Sequence, residues 1–303
     1  DISPDRVVIT SGGSGALLLV MGALLERDKK VLLADPGYPC NRNFALFVEG
    51  HAQSVAVDES TNYQLTSSLI NEYWGDDTAM ALVASPSNPT GTVLTKQELM
   101  ALSAAIRAKN GHFIVDEIYH GLTYDDIDTP TVLAIDNEAF VINSFSKFFG
   151  MTGWRLGWLI VPDEYVSVMD RLAQNLFLSA PTMSQYAALA AFSVESLDIL
   201  EERRQIFEQR RNSLLPALQS IGLDVKVRPQ GAFYIYGDCS AFLNEQYPDS
   251  MALSKFWLQH AGVAATPGND FGSYLANRHM RFAYTNDEQR LLEAVERISA
   301  IYK

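Results

Sequence analysis

The sequence predicts an α/β fold, in which a mainly parallel sheet is sandwiched by helices and is followed by a smaller C-terminal α+β domain. Short, nearly continuous apolar runs alternate with helical patterns through the first two-thirds of the chain. Such strands are typical of a parallel sheet that is covered on both faces. From Pro162 onward the pattern changes to helices and then to a short α+β mixture. The chain has 303 residues, which is enough for two domains, and we place them at residues 1–208 and 209–303.

The elements of the larger domain follow in chain order. Strands are predicted at residues 7–10, 31–34, 54–57, 80–84, 113–115 and 139–142. Helices are predicted at residues 15–26 and 41–49, and another begins after Thr95, where Glu98 completes a capping box. A long helix over about residues 183–217 is expected to end at Gly222. The smaller domain is predicted to contain strands at residues 225–227, 233–236 and 281–283, and helices at about 251–261 and from 288.

Composition excludes several classes of function. The net charge of −13 argues against nucleic acid or an anionic membrane surface as a partner. The longest apolar segment, residues 16–25, is too short to span a bilayer. Cys40 and Cys239 are far apart and match no metal spacing, so we expect no metal and a cytoplasmic location. The chain opens without a methionine, directly before a strand, so we expect the natural protein to have further N-terminal residues.

The stretch over residues 143–157 carries the strongest chemical signal. Lys147 lies between aromatic residues after an apolar run, where an ammonium is costly to bury. A neutral amine in such a place can capture a carbonyl as a Schiff base. Arg155 offers a planar charged fork to a phosphate, and Ser144 offers a hydroxyl. By itself the stretch also fits a lysine that extends along an exposed loop and a surface arginine.

Other predicted strand ends contribute useful groups, because ligands of open α/β sheets bind beyond the carboxyl ends of the strands. A glycine-rich helix start at Gly12, Gly13 and Ser14 suits a phosphate. Its spacing fits neither a Walker loop nor the dinucleotide-binding fingerprint. This feature alone is also compatible with an ordinary tight turn.

Four more residues follow the ends of predicted strands. Tyr38 could stack on a flat ring, and Asn88 presents an amide in the string Ser-Asn-Pro-Thr-Gly. Asp116 ends a buried strand and needs a cation there, with Tyr119 three residues later. Taken singly, each has a structural alternative: an interior tyrosine, a proline turn, or a salt bridge to a helix residue.

Together these groups fit pyridoxal 5′-phosphate, a planar heteroaromatic aldehyde with a phosphate arm. Lys147 would bind the aldehyde, and Asp116 would hold the protonated ring nitrogen. Tyr119 and Asn88 would bind the ring hydroxyl, and Tyr38 would cover one face. The phosphate would be held by a set of N–H, hydroxyl and guanidinium donors from Gly12, Gly13, Ser14, Ser144 and Arg155.

The chain at this point resembles the class I/II aminotransferases, the aspartate-aminotransferase-like group of fold-type I pyridoxal-phosphate enzymes. The resemblance rests on Ser-Asn-Pro-Thr-Gly, Asp-Glu-Ile-Tyr, and Ser-Phe-Ser-Lys followed by Gly-Trp-Arg-Leu-Gly. It implies that an amino group moves between an α-amino acid and a 2-oxo acid. It also implies that Arg281 grips the substrate α-carboxylate, that the Asn88–Pro89 bond is cis, and that the protein is a homodimer with residues 175–181 near the neighbouring phosphate site.

Two departures from the family pattern affect the expected activity. Nothing here matches the family's N-terminal arm, and residues 174–181 contain no arginine for a side-chain carboxylate. We therefore expect neutral or aromatic amino donors to react faster than aspartate or glutamate. The alternatives are a pyridoxal-phosphate lyase of the same fold that eliminates a β-substituent, and an aminotransferase-like sensor domain of a transcription regulator.

Overall fold

The computed structural model describes residues 2–302. Within them, a seven-stranded sheet has the strand order β1-β7-β6-β5-β4-β2-β3. Only β7 runs against its neighbours, and the other adjacent pairs are parallel. The strands of this larger sheet are β1 (Val7–Thr10), β2 (Lys30–Asp35), β3 (His51–Ala56), β4 (Thr78–Ala84), β5 (His112–Asp116), β6 (Phe140–Ser144) and β7 (Gly157–Ile160). The predicted mainly parallel sheet is confirmed.

Helices cover both faces of this sheet because alternate strand residues enter two separate cores. Leu33, Leu82 and Ile142 pack with α1 on one face, whereas Leu32 and Val83 pack with α3 and α4 on the other. The helices within residues 2–302 are α1 (Gly12–Leu24), α2 (Pro39–Phe47), α3 (Ser67–Tyr73), α4 (Lys96–Arg107), α5 (Val166–Phe177), α6 (Thr182–Ala190), α7 (Val194–Ser220), α8 (Ser250–Ala261) and α9 (Glu288–Ala300). The predicted capping box of α4, between Thr95 and Glu98, is present.

A second, antiparallel sheet has the order β8-β10-β9, with β8 (Tyr234–Asp238), β9 (Thr266–Pro267) and β10 (His279–Ala283). It packs with α8, α9 and the end of α7, and Leu214 and Leu218 of α7 lie in its core. The helix α7 therefore joins the two sheets. We keep the domain boundary near Glu208, inside this helix, as a proposal, and the terminal residues 1 and 303 of the two ranges lie outside the described residues.

Several predicted elements need correction. The long helix over 183–217 is two helices, α6 and α7, because Ser193 adopts an extended conformation and its side chain caps α7 at Ser196. No strand forms at 225–227 in the described chain, where the pairing is limited to an isolated bridge between Asp224 and Asp238. The helix predicted at 15–26 begins at Gly12 and ends at Leu24. The short strand β7 was not predicted.

The topology places the carboxyl ends of β2, β4, β5 and β6 at the same edge of the larger sheet, since these strands are mutually parallel. The start of α1 reaches this edge from β1, and the small sheet lies against it. The fold therefore concentrates the chemically useful side chains at one edge.

Within residues 2–302, no helix combines the length and the apolar composition that crossing a membrane requires.

Candidate active site

A cavity of about 320 Å³ opens at this edge of the sheet. Among the residues predicted for the site, Gly12 alone does not line it. The lining residues that were predicted are Gly13, Ser14, Tyr38, Asn88, Asp116, Tyr119, Ser144, Lys147, Arg155 and Arg281. A larger cavity of about 600 Å³ lies in the small unit and shares only Arg281 with this site among its described lining residues. The strand-end groups that the sequence singled out thus meet in one place.

Lys147 lies in the loop after β6, with its amine beside two aromatic rings. The Nζ atom is 5.2 Å from the ring centroid of Tyr119 and 5.4 Å from that of Phe233. Burial lowers the pKa of Lys147; Asp116 opposes this effect, whereas the charges of Arg281 and Arg155 add to it. No salt bridge pairs Lys147 within residues 2–302. This environment favours the neutral, nucleophilic amine that the sequence predicted.

Asp116 is the last residue of β5 and its side chain is buried. Its Oδ1 accepts a hydrogen bond from the backbone N–H of Ile118 at 3.0 Å. Burial raises the pKa of Asp116 to about 6, and the Ile118 bond and Lys147 offset part of that rise. No ion pair involves Asp116 in the part of the chain that the structure describes, so the alternative of a structural salt bridge is not supported. A cationic group bound in the cavity would form the ion pair that this carboxylate lacks.

Two glycines allow the phosphate end of the site to form. The side chain of Ser11, the N-cap residue of α1, makes no capping hydrogen bond within the described chain, so the first N–H groups of the helix remain available to an anion. A Cβ on Gly12 would lie 2.7 Å from Arg155 Nη2, and a Cβ on Gly157 would lie 2.7 Å from the carbonyl oxygen of Asn143. Their absence lets the guanidinium of Arg155 lie across the helix start and lets β7 pack beside it. An anion there would meet both the helix N-terminus and Arg155.

Ser144 lies at the same end, but its hydroxyl already has partners within the chain. The Oγ atom donates to the carbonyl of Leu156 at 3.2 Å and accepts from the N–H of Ser146 at 3.1 Å. It therefore supports the lysine loop in this structure. Ser146 also lines the cavity, and its hydroxyl is a further candidate donor that the sequence reasoning left out.

Arg281 of β10 reaches from the small sheet into the cavity. It donates from Nη1 to Asn88 Oδ1 at 2.9 Å and from Nη2 to Thr266 Oγ1 at 3.3 Å. Its guanidinium carbon lies 4.1 Å from the ring centroid of Tyr234 and 4.6 Å from that of Phe271. Its buried Nε has no hydrogen-bond partner in the described chain. Two hydrogen bonds and two ring contacts thus hold the guanidinium of Arg281 in place, and it keeps donor capacity for a carboxylate.

Tyr119 and Tyr38, the two tyrosines predicted to contact the cofactor ring, both line the cavity. Tyr119 is buried, and its hydroxyl is 3.0 Å from that of Tyr234. Burial raises the pKa of Tyr38, and nearby Cys40 and Asp116 reinforce that rise, so its phenol stays neutral. The Asn88–Pro89 peptide bond is cis, which confirms the prediction, and so are the Ser85–Pro86 and Asp35–Pro36 bonds.

Tyr234 was not predicted as a site residue, although it lines the cavity and contacts both Tyr119 and Arg281. It begins β8, where residues 233–236 read Phe-Tyr-Ile-Tyr. Such a run predicts a strand but does not reveal which face meets the cavity.

The positively charged residues lining this cavity, among the described residues, are Lys147, Arg155 and Arg281.

The chain is similar to known aminotransferases in sequence and in structure. A family model described as aminotransferase class I and II matches residues 1–298. Valine–pyruvate aminotransferase of Mycobacterium tuberculosis is 36% identical over 300 residues, covering 99% of this chain and 76% of the relative. The crystal structure of an aminotransferase from the same organism matches with a TM-score of 0.94 at 35% identity, over 99% of this chain and 76% of that one. Aspartate aminotransferase from Thermus thermophilus with maleate matches with a TM-score of 0.92 at 30% identity, over 99% and 77%.

Proposed function

The chain belongs to the class I and II aminotransferases, and we propose that the cavity at the strand ends is its active site, with pyridoxal 5′-phosphate as cofactor. The enzyme moves an amino group between an α-amino acid and a 2-oxo acid. The observation that carries the site assignment is the meeting of one amine, one buried carboxylate and two guanidinium groups in a single cavity. Those residues are Lys147, Asp116, Arg155 and Arg281.

The donor set fits the cofactor group by group. Arg155 and the start of α1 would take the phosphate, with Gly12, Gly13 and Ser14 supplying the helix end. Asp116, a buried carboxylate without a salt bridge in the described chain, would face the cationic ring nitrogen. The neighbouring Tyr119 and Asn88 would bind the ring oxygen, Tyr38 would cover a face, and Ser144 would hold the loop that carries Lys147.

Pyridoxal phosphate, when bound, supplies a conjugated ring that accepts electron density from the substrate α-carbon. The protein supplies binding, orientation and proton movement. Lys147 would hold the cofactor and, once its amine is free, would act as the base that removes the α-proton. Its lowered pKa favours the unprotonated form that this role needs. Asp116, when ionised, would keep a proton on the ring nitrogen through charge pairing.

Arg281 would bind the α-carboxylate of the donor. Its guanidinium plane is fixed by Asn88, Thr266 and two aromatic rings, so little side-chain entropy remains to be lost on binding. A bidentate contact would also set the orientation of the α-carbon relative to Lys147. Arg281 comes from the small sheet, and Lys147 comes from the loop after β6 of the larger sheet. Substrate binding would therefore depend on how the two sheets are held together.

We expect neutral or aromatic amino donors to react faster than aspartate or glutamate. Lys147, Arg155 and Arg281 are the positively charged side chains that line the cavity in residues 2–302. Each would already be occupied by the cofactor or the α-carboxylate. A side-chain carboxylate buried there would lack a partner, whereas an apolar side chain needs only apolar surface. The relative named for valine and pyruvate supports this expectation. The measurement is a single-turnover conversion of the cofactor from its aldehyde to its amine form across a panel of donors.

An Arg281→Leu variant serves as the matched control for the donor panel. It should lower the single-turnover efficiency with every donor by a similar factor of about a hundred, because the α-carboxylate is common to all of them. The ratio between neutral and acidic donors should stay the same. A clear preference of the unmodified enzyme for aspartate would contradict the specificity proposal. Release of pyruvate with ammonia from a β-substituted donor would instead favour the lyase.

We also propose that the protein works as a homodimer. Apolar side chains are exposed along α6 and at the start of α7, including Met183, Tyr186, Leu189 and Val194, each with between 69% and 75% of its surface accessible. Contiguous exposed apolar surface is typical of protein interfaces. Residues 175–181, at the end of α5 and just beyond it, would then lie near the phosphate site of the neighbouring subunit.

The expectation of a cytoplasmic location stays a prediction.

Light scattering across a dilution series should give the mass of two chains, and activity per chain should fall as the dimer dissociates. A Leu189→Arg change on the exposed face of α6 should raise the dissociation constant about a hundredfold or more, since it places a charge in an apolar interface. Lys96→Ala, on the exposed start of α4, is the matched surface control and should leave the mass unchanged. A monomer that keeps full activity would contradict the proposal.

A further inference from the structure

Tyr234 occupies the point where the small sheet meets the candidate active site. It is the first residue of β8 and is paired with Ala283 of β10, so Arg281 lies diagonally opposite it. Diagonal neighbours on paired strands are close enough for aromatic and long side chains to touch. Its side chain is buried and lines the cavity. The strand pairing therefore fixes Tyr234 relative to the substrate-binding arginine.

The segment just before Tyr234 is hydrogen-bonded to two loops that follow strands of the larger sheet. The N–H groups of Gln230 and Gly231 donate to the carbonyl of Gly91 at 2.8 and 2.9 Å. Gly91 belongs to the loop that carries Asn88. The N–H of Ala232 donates to the carbonyl of Leu122 at 2.9 Å. Tyr234 thus enters the site from a segment that is bonded to both the Asn88 loop and the Tyr119 loop.

The two ends of the Tyr234 side chain have different contacts. Its hydroxyl lies 3.0 Å from the hydroxyl of Tyr119, with both groups buried. Its ring face lies 4.1 Å from the guanidinium carbon of Arg281, within the range of a cation–π interaction. Donation by the Tyr234 hydroxyl would leave the O–H of Tyr119 available to a ligand in the cavity. One side chain therefore contacts a group proposed for the cofactor and a group proposed for the substrate.

We propose that Tyr234 is a positioning residue that holds Tyr119 through its hydroxyl and Arg281 through its ring, and so supports both the cofactor site and the carboxylate site. This inference rests on the proposed function of the site. A purely structural aromatic residue would affect stability alone. A positioning residue with two separate contacts should instead give two separable effects on binding.

Tyr234→Phe and Tyr234→Leu separate the two contacts. The phenylalanine variant loses the hydroxyl and keeps the ring, so pyridoxal phosphate should bind about fivefold more weakly because Tyr119 loses its partner. The pH titration of the bound cofactor's visible absorption should also shift. The affinity for 3-phenylpropionate, a carboxylate without an amine, should stay within about twofold. The leucine variant loses both contacts, so this carboxylate should also bind about tenfold more weakly.

Three controls make the result specific. Tyr236→Phe removes a buried hydroxyl from the same strand that has no partner in the described chain, and it should change neither affinity. Phe271→Leu removes the other ring beside Arg281 and should weaken only the binding of 3-phenylpropionate. It also tests the ring contact if Tyr234→Leu fails to fold. In a double-mutant cycle, the effects of Tyr119→Phe and Tyr234→Phe on cofactor affinity should be less than additive.

The inference is overturned if Tyr234→Phe leaves cofactor affinity and its pH titration unchanged, or if neither ring variant weakens the carboxylate. Additive effects of the two phenylalanine changes would also overturn it. A wild-type protein that fails to bind pyridoxal phosphate would contradict the proposed function itself. Cofactor binding and amino transfer by the wild type, with unaffected Tyr234 variants, would contradict only the role of Tyr234.

Discussion

Replacing Lys147 by alanine is expected to abolish covalent capture of pyridoxal phosphate and to lower turnover about a thousandfold or more. The amine of Lys147 is the one nucleophilic nitrogen that lines the cavity in the described chain, beside Tyr119 and Phe233. Its loss removes both the attachment point and the proposed base. The measurements are borohydride trapping followed by mass spectrometry of the labelled peptide, and single-turnover amino transfer.

The matched control is Lys96→Ala, which removes an exposed lysine from α4. It should leave both the trapped label and the turnover unchanged. The Lys147 variant should still bind pyridoxal phosphate noncovalently, because Arg155 and the start of α1 remain. A borohydride-stable label on another lysine, or turnover within tenfold of the wild type, would refute the assignment of Lys147.

The parallel sheet and the positions of its strand ends could be predicted because they depend on local pattern. Strands such as β4 and β5 read as short apolar runs, since both of their faces enter a core. Asp116 ends such a run, and Asn88 lies in the loop after another. Parallel strands share one carboxyl edge, so these groups had to converge. The strand β7 was not predicted, because it has only four residues and begins at Gly157, and it runs against both neighbouring strands.

Contacts between distant segments could not be read from the sequence. The bond between Arg281 and Asn88 joins residues 193 positions apart, and the Tyr119–Tyr234 contact joins residues 115 positions apart. Both depend on how the small sheet packs against the large one. The break between α6 and α7 was also missed, because a serine cap at Ser193 within an otherwise helical pattern resembles an ordinary exposed serine.

Replacing Asp116 by asparagine is expected to lower amino transfer about a thousandfold, because the ring nitrogen would lose its buried anionic partner. The same change should stabilise the apoprotein. Burial raises the pKa of Asp116 from 3.8 to about 6, so the folded chain binds more protons than the unfolded chain between about pH 4 and 6. Stability therefore falls as the pH rises through that window. Above pH 6, the raised pKa of Asp116 corresponds to about 3 kcal/mol of lost free energy of unfolding.

The checks are urea unfolding of apoprotein at pH 4 and pH 8, together with single-turnover rates of the holoenzyme. The Asp116→Asn apoprotein should gain up to about 3 kcal/mol in free energy of unfolding at pH 8. At pH 4 the gain should be small, since Asp116 of the folded wild type is then mostly protonated and as neutral as asparagine. Asp136→Asn is the matched control at another buried carboxylate. Burial acts to raise the pKa of Asp136, but hydrogen bonds from Arg107 and Ser103 leave it below its usual value. Its replacement should destabilise the protein at pH 8 and spare the cavity.

The opposite signs of these two changes are the decisive result. Asp136 has its cation within the chain, so its charge contributes to folding. Asp116 makes no salt bridge in residues 2–302, and Lys147 offsets only part of the effect of burial, so its charge opposes folding of the apoprotein. We attribute its presence to the ring nitrogen. Bound pyridoxal phosphate should therefore stabilise the wild type more than the Asp116→Asn variant. A variant that is destabilised as apoprotein at pH 8, or that keeps wild-type turnover, would show that Asp116 has a structural role instead.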